Sequence, residues 1–125
     1  MRLEELEVYQ MAMDVAEKIW GLVGNWEYFA KDTIGKQIIK SADSVGANLS
    51  EGFGRYFYKE NKQFCYYSRG SLFETKTWPT KAFKRNLITE EEYNIFLKDL
   101  EIMGTKLNNY INSIGHKARK ETDHK

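Results

Sequence analysis

The sequence predicts an all-α protein, folded as an antiparallel up-down-up-down four-helix bundle. Apolar residues recur at every third or fourth position in four successive segments of the 125-residue chain, which is the period of an amphipathic helix. The chain contains a single proline and lacks the strict alternation that half-buried strands show. The connections between the segments are short, and short connections favour antiparallel neighbours in helical bundles.

The first helix is predicted over about residues 4–24. Six apolar residues at helical spacing are expected to face the core: Leu6, Tyr9, Met13, Ala16, Trp20 and Val23. Residues 25–30 are rich in aromatic side chains and form the predicted connection to the second helix.

The second helix is predicted over about residues 31–51, and it carries two stripes. Its apolar stripe consists of Ile34, Ile38, Ala42, Val45 and Leu49. Its polar stripe, which we call the polar seam, consists of Gln37, Ser41, Ser44, Asn48, Glu51 and Arg55. Gly52 and Gly54 follow the predicted end of the helix, and we expect them to stop it because glycine readily adopts the left-handed conformation.

The polar seam has two interpretations. Short hydroxyl and amide side chains weaken a helix, and they need hydrogen-bond partners when they are buried. One interpretation is a binding groove centred on Asn48, Glu51 and Arg55, the last two being close enough in sequence to pair locally. The other is a network between packed helices, in which the seam's two serines and asparagine face the third helix. The expected partners there are Ser68, Ser71 and Glu74, with Gly70 allowing close packing. We favour the network, because a satisfied polar network can specify a unique core.

The third helix is predicted to begin near residue 58. One of its faces carries several small residues, and its members are Phe64, Ser68, Ser71, Thr75, Trp78 and Ala82. Pro79 lies within this pattern, and an internal proline removes a backbone hydrogen bond at a cost of about 3 kcal/mol. We therefore expect a bend or a break around residues 76–78.

The fourth helix follows a predicted turn at residues 86–88. Thr89 and Glu92 have the spacing of a capping box, with acidic residues at the positive end of the helix. The core-facing residues are expected to be Phe96, Leu100, Met103, Leu107, Ile111 and Ile114. Residues 1–115 form the predicted domain, and the polar tail at residues 116–125 is expected to be disordered.

Three motifs in the chain resemble a known family. They are LEVYQ at residues 6–10, SVGANLSEGFGR at residues 44–55, and RGSL at residues 69–72 with Glu74. Together they resemble the four helix bundle protein family, also called the 23S rRNA intervening-sequence protein family, over about residues 3–114. The resemblance implies a helical bundle that assembles as a homopentamer in a bacterial cytoplasm. It extends to the accessory variability protein of diversity-generating retroelements, a basic homopentamer that binds nucleic acid and a reverse transcriptase. It implies no settled activity.

Charge is unevenly distributed, although the whole chain has a net charge of only +1. Residues 59–88 carry seven basic and two acidic side chains, whereas residues 1–30 and 89–114 carry net charges of −4 and −3. Such asymmetry is expected of a protein with an anionic partner. It is equally expected if the basic helix packs against acidic helices of the same chain or of another subunit. The sequence leaves this choice open.

The basic residues of the third segment are the strongest candidates for a binding site. We call them the basic set: Lys59, Lys62, Arg69, Lys76, Lys81, Lys84 and Arg85. Aromatic residues are interleaved with them, namely Tyr58, Tyr66, Tyr67 and Trp78. Cations neutralise phosphates and aromatic rings stack on unpaired bases, so the pattern predicts nucleic-acid binding, with RNA favoured over DNA. The alternative is a scaffold or adaptor that binds another protein through its aromatic surfaces.

Catalytic, metal and cofactor chemistry finds little support in the sequence. His116 and His124 both lie in the polar tail, and no Glu-x-x-His pair or zinc-ligand spacing is present. Cys65 lies within one helical turn of Lys62 and Arg69, which could lower its pKa, but a lone cysteine is more often packing material. We therefore predict a non-enzymatic protein without a cofactor.

The expected location is the cytoplasm. One cysteine cannot form an internal disulfide, and the acidic N-terminus lacks the apolar region of a signal peptide. The sequence also contains no uncharged apolar stretch of about 18 residues, so no membrane span is predicted.

Overall fold

The computed structural model describes residues 1–115, and every regular element in that range is helical. The predicted tail, residues 116–125, lies outside the described residues. Four long helices account for most of the chain: α1 (Glu7–Val23), α2 (Lys36–Phe53), α3 (Tyr58–Lys84) and α4 (Glu90–Ser113). A single 3₁₀ turn at Leu3–Glu5 precedes α1. A helical turn at Tyr28–Ala30 and a π-helical segment at Lys31–Gly35 lead directly into α2.

The four helices form the predicted antiparallel bundle. Helices that follow one another along the chain pack together, and α1 closes the bundle by packing against α4. Side-chain contacts show the directions. Lys106, late in α4, reaches Glu7 at the start of α1, and Thr75, late in α3, reaches Ser41 early in α2. None of the helices within residues 1–115 has the length and apolar character needed to cross a membrane.

Apolar side chains from all four helices fill one continuous core. On α2 and α4 the sequence prediction of the core face is confirmed, because all eleven predicted residues of these two helices are buried, Leu49 and Leu107 completely. Burial of a leucine or isoleucine side chain contributes about 1.5–3 kcal/mol, so this core is the main source of stability.

The predicted core face of α1 is partly wrong. Trp20 is 63% exposed and Met13 is 44% exposed, although both were expected inside. The predicted Leu6, Ala16 and Val23 are buried, and the other core positions of α1 are held by Val8, Ala12, Val15 and Ile19. Two overlapping apolar stripes run along this helix, and periodicity alone does not decide which of them faces the other helices.

Pro79 does not break α3. The helix continues from Tyr58 to Lys84 with the proline inside it, so the alternative of a break around residues 76–78 is wrong. The proline ring is fully buried in the bundle. Its burial offsets the loss of one backbone hydrogen bond, since apolar surface removed from water contributes about 25 cal/mol per Å².

The end of α2 does not depend on left-handed glycine, in contrast to the prediction. Gly52 is an interior residue of the helix, and Gly54 caps it with an ordinary helical φ of −78°. The positive φ values in residues 1–115 occur at Asn86 and Gly115. Gly52 instead allows α3 to approach: a Cβ there would lie 2.9 Å from the backbone carbonyl oxygen of Asn61 and 3.0 Å from Phe64 Cβ.

We expect the Gly52→Ala substitution to destabilise the fold by about 1–3 kcal/mol, because overpacked sites force the backbone to move. The measurement is the free energy of unfolding in urea. Gly54→Ala is the matched control, since a Cβ at position 54 would lie no closer than 3.7 Å to its neighbours. Equal effects of the two substitutions would contradict the close-approach role of Gly52.

The predicted capping box at the start of α4 is confirmed. The Glu92 amide donates to Thr89 Oγ1 at 3.1 Å, and the Thr89 amide donates to Glu92 Oε1 at 2.9 Å. Thr89→Ala should therefore lower the free energy of unfolding by about 1 kcal/mol. Thr105→Ala, which removes an exposed hydroxyl from the middle of the same helix, is the control and should have little effect. A Thr89→Ala protein as stable as the control would contradict the capping role.

Candidate nucleic-acid interface

Two side-chain hydrogen bonds join α2 and α3, and one of them involves the polar seam, through Ser41. The Thr75 hydroxyl of α3 donates to Ser41 Oγ of α2 at 3.0 Å, and the Ser68 hydroxyl donates to the Val45 carbonyl oxygen at 2.8 Å. Ser41, Ser68 and Thr75 are all buried. A hydrogen bond of this kind contributes about 0.5–1.5 kcal/mol, and an unmade one at a buried site costs more. The favoured interpretation, a hydrogen-bonded network between packed helices, therefore holds for Ser41 of the seam, with Thr75 as its partner.

The rest of the seam does not cross to α3. Ser44 donates to the Lys40 carbonyl oxygen and Asn48 donates to the Ser44 carbonyl oxygen, both within α2. Gln37 on α2 and Glu74 on α3 are exposed. Ser71 meets the network only through its carbonyl oxygen, 2.7 Å from the Thr75 hydroxyl. The predicted pairing of Ser44 and Asn48 with Ser71 and Glu74 is wrong, because these side chains flank the α2–α3 contact.

The C-terminal end of the seam forms the predicted local ion pair. Arg55 Nη2 lies 2.5 Å from Glu51 Oε1, and both side chains are largely exposed. The Arg55 guanidinium also lies 4.8 Å from the centre of the Phe64 ring. An exposed pair four residues apart contributes about 0.2–0.5 kcal/mol. The carboxylate and the guanidinium at this end of the seam are therefore engaged with each other and with Phe64.

Gly70 is not between packed helices, as had been expected. It is exposed in the middle of α3, and a Cβ placed on it would have no neighbouring heavy atom within 4 Å. The close packing of α2 on α3 comes instead from Gly52 and from the buried hydroxyls of Ser41, Ser68 and Thr75.

The basic set lies on α3 and at its C-terminal end. Lys59, Arg69, Lys81, Lys84 and Arg85 are exposed, and Lys62 and Lys76 are half-buried. Two members rest on the Phe73 ring: Arg69 lies 5.8 Å and Lys76 lies 4.6 Å from its centre. Lys81 similarly lies 5.2 Å from the Trp78 ring.

The charges of the basic set are not neutralised by acidic residues within residues 1–115. No salt bridge in this range involves a member of the set. The acidic helices α1 and α4 pair with each other instead, through Lys106–Glu7 at 2.8 Å and Lys18–Asp99 at 3.3 Å. The hydrogen bond from Lys106 holds the pKa of Glu7 below its usual value. Positive charge is therefore left on the α3 side of the bundle.

Aromatic side chains accompany these cations. Tyr58, Tyr66, Tyr67 and Phe73 on α3 are each about half exposed. An exposed cation–π contact is worth only about 0.5–1 kcal/mol, so the side chains of Arg69 and Lys76 can leave Phe73 for a stronger partner. The Trp78 indole N–H is buried without a hydrogen-bond partner among the described residues.

Cys65 does not have the character of a reactive thiol. It is completely buried, and its Sγ contacts Asn61 Oδ1 at 3.6 Å. Burial raises the pKa of the Cys65 thiol to about 11, opposite in direction to the lowering suggested by Lys62 and Arg69. A buried thiol with a raised pKa is a poor nucleophile. Within residues 1–115 there is also no group of three histidine, cysteine or carboxylate side chains that could hold a metal ion.

A second surface, which the sequence prediction missed, lies on the outer side of α1 and α2. We call it the apolar face. One groove of about 450 Å³ is lined by Trp20, Val23, Gly24 and Ile39 and by the side chains of Lys31, Lys36 and Lys40. A smaller groove of about 290 Å³ lies beside Met13. Burial, and then the neighbouring Glu17 carboxylate, raise the pKa of Asp43 in the smaller groove. The second apolar stripe on α1 is the signal that could have revealed this face.

Comparison with known proteins places this geometry in context. The family model described as 23S rRNA-intervening sequence protein matches residues 4–109. A similar crystal structure is that of a protein of unknown function from the S23 ribosomal protein family of Bacteroides thetaiotaomicron. The two share 22% sequence identity with a TM-score of 0.75, covering 85% of this chain and 99% of the other, which supports the fold. No curated protein is significantly similar to this chain.

Proposed function

This chain belongs to the 23S rRNA-intervening sequence protein family, and on that premise we propose that it is a non-enzymatic, self-assembling bundle that associates with RNA. The observation that carries the proposal is the basic set, whose cations have no acidic partner within residues 1–115. Lys and Arg side chains left unpaired on one side of a protein bind phosphates by releasing condensed counterions. The proposed location is the bacterial cytoplasm.

The separation of charge supports an anionic partner on the α3 side. The acidic side chains of α1 and α4 form ion pairs with lysines of these two helices and, within residues 1–115, none with the basic set, so the cations of α3 remain available to a partner. A surface of one sign steers an oppositely charged partner towards itself and raises the rate of association. RNA is preferred to DNA because of the family membership and because exposed aromatic rings suit the unpaired bases common in RNA.

Self-assembly is proposed on the strength of the apolar face. Trp20 and Met13 are exposed large apolar side chains. Trp20 lies beside the larger groove, with Val23 and Ile39, and Met13 lies beside the smaller groove. Contiguous exposed apolar surface commonly marks a protein–protein contact. The resemblance to pentameric proteins suggests a homopentamer, in which five basic surfaces would act together and weak single contacts would add.

The second candidate is a protein-binding scaffold or adaptor with no nucleic-acid role. The same apolar face favours it, because Trp20, Val23 and Ile39 in the larger groove suit an apolar protein segment. The two candidates differ in salt dependence. Phosphate binding weakens steeply as salt is raised, whereas binding to an apolar groove does not.

Charge reversal on the basic set tests the nucleic-acid role. Replacing Lys81, Lys84 and Arg85 by Glu should weaken binding of a fluorescein-labelled RNA at low salt by on the order of tenfold or more, and should flatten its salt dependence. The measurement is fluorescence anisotropy over a salt titration, with structured and single-stranded RNA.

The matched control reverses three exposed cations that lie outside α3 and outside both grooves, Arg2, Lys18 and Lys98, so that the change in net charge is the same. The control should retain most of the binding of the unsubstituted protein. RNA binding that is absent at low salt, or that falls equally in both triple variants, would reject the proposed site on α3.

Self-assembly is tested at the apolar face. Trp20→Glu replaces the largest apolar side chain of the groove by a charged one and should shift the protein towards monomer, because the contact loses apolar surface and has to desolvate a carboxylate. Light scattering after size-exclusion chromatography gives the mass of the particle. Tyr56→Glu, at an exposed aromatic in the α2–α3 connection, is the control and should leave the mass unchanged. An unsubstituted protein that is monomeric at micromolar concentration would exclude the ring.

A further inference from the structure

One stripe of α3 alternates cations with aromatic rings, and we infer that it binds unpaired, single-stranded segments of RNA. We call it the α3 stripe: Lys62, Tyr66, Arg69, Phe73 and Lys76. The inference rests on the proposed RNA association and specifies the form of RNA that the site takes. Bases would stack on Tyr66 and Phe73, and the phosphates between them would pair with the three cations.

The spacing of the α3 stripe places its members in one line. Successive residues are separated by four, three, four and three positions, which keeps them on one side of an α-helix. At 1.5 Å per residue the line is about 20 Å long, enough for a few nucleotides. The two acidic residues of α3, Glu60 and Glu74, are outside this series. The stripe therefore offers cations and ring faces without an interposed carboxylate.

The cations of the α3 stripe can exchange their contact with an aromatic ring for a contact with an RNA strand. Arg69 and Lys76 lie over the Phe73 ring at 5.8 Å and 4.6 Å, so two cations and one ring are already grouped. When a nucleotide binds, these cations would move to its phosphates and leave the ring to its base. Base–aromatic stacking and cation–π contacts are the usual combination in single-strand binding proteins.

The exposed glycine in the middle of α3, Gly70, is a second observation that supports a binding role for the α3 stripe. An exposed glycine in the middle of a long helix weakens it, and nothing in residues 1–115 requires glycine there, because the space around its missing Cβ is empty. Gly70 follows Arg69 and lies within one turn of both Tyr66 and Phe73. It leaves a notch between the two rings, where a base can approach the helix backbone.

A single strand fits the stripe better than an RNA duplex. Double-stranded RNA buries its base faces, and its major groove is too deep and narrow for side chains to read. A duplex would meet only the cations, and Tyr66 and Phe73 would contribute nothing. The α3 helix of a second copy fits less well than RNA, because it would bring a second set of cations against the three of the stripe. A contact of the stripe with the acidic α1 or α4 of a second copy is the alternative that the measurement of particle mass detects.

The first test compares an unstructured oligouridylate with an RNA duplex of the same length and label, both bound to the full chain. We expect tighter binding of the oligouridylate. The double substitution Tyr66→Leu and Phe73→Leu should weaken oligouridylate binding by on the order of tenfold while leaving duplex binding unchanged, because only unpaired bases stack on the rings. Tyr28→Leu, at an exposed ring outside the stripe, is the matched control.

The second test fills the notch. Gly70→Leu should weaken oligouridylate binding without lowering the melting temperature, since the added side chain meets no neighbour in the fold. Gly21→Leu is the matched control, because Gly21 on α1 is also an exposed helical glycine with nothing within 4 Å of a Cβ. Light scattering on both variants reports whether either glycine lies in a subunit contact.

The outcomes separate this inference from the function on which it rests. Equal binding of both RNAs, with no effect of the ring or notch substitutions, would overturn the single-strand assignment while RNA association stands. Binding of neither RNA at low salt would reject the proposed function itself. A change in particle mass for Gly70→Leu, with RNA binding intact, would assign the notch to a subunit contact and overturn the inference.

Discussion

The close contact between α2 and α3 is the constraint on which the other features depend. Gly52 removes the side chain that would otherwise meet the Asn61 backbone, and the hydroxyls of Ser41, Ser68 and Thr75 are satisfied within the contact. Because a buried hydroxyl without a partner is costly, these bonds oppose any rotation or sliding of α3 relative to α2. The register that they set leaves the cations and rings of α3 outside this contact.

The packing of the four helices also places the charged surface and the apolar surface on different sides of the bundle. The acidic α1 and α4 lie side by side and exchange two ion pairs, so the cations of α3 are left to the exterior. On another side, α1 and α2 present the apolar face around Trp20. A bundle with one polar, cationic surface and one apolar surface can contact a polyanion and another protein at once, because the two kinds of contact use different helices.

Much of the fold could be predicted from particular residues of the sequence. The core positions of α2 and α4 follow from helical spacing, and the capping box at Thr89 is visible in four residues of sequence. The errors at Trp20, Pro79 and Gly52 share one cause. The spacing of residues along a helix does not show which part of the fold packs against each residue. Trp20 was placed inside because α1 has two apolar stripes. A break in α3 was one of the alternatives given for Pro79, although the burial of its ring offsets one missing hydrogen bond. Gly52 was taken as a left-handed stop, although its role is close approach.

The sequence by itself determined the helices, their order and most of the core, because these depend on local spacing, caps and turn residues that short windows contain. It also named the basic set as the candidate site. Only the tertiary structure decided that α1 and α4 form ion pairs with each other and not with the basic set, that Cys65 is buried with a raised pKa, and that Gly70 is exposed. The physical reason is that charge pairing, burial and close approach are relations between segments distant in the chain, which the packing of helices brings together.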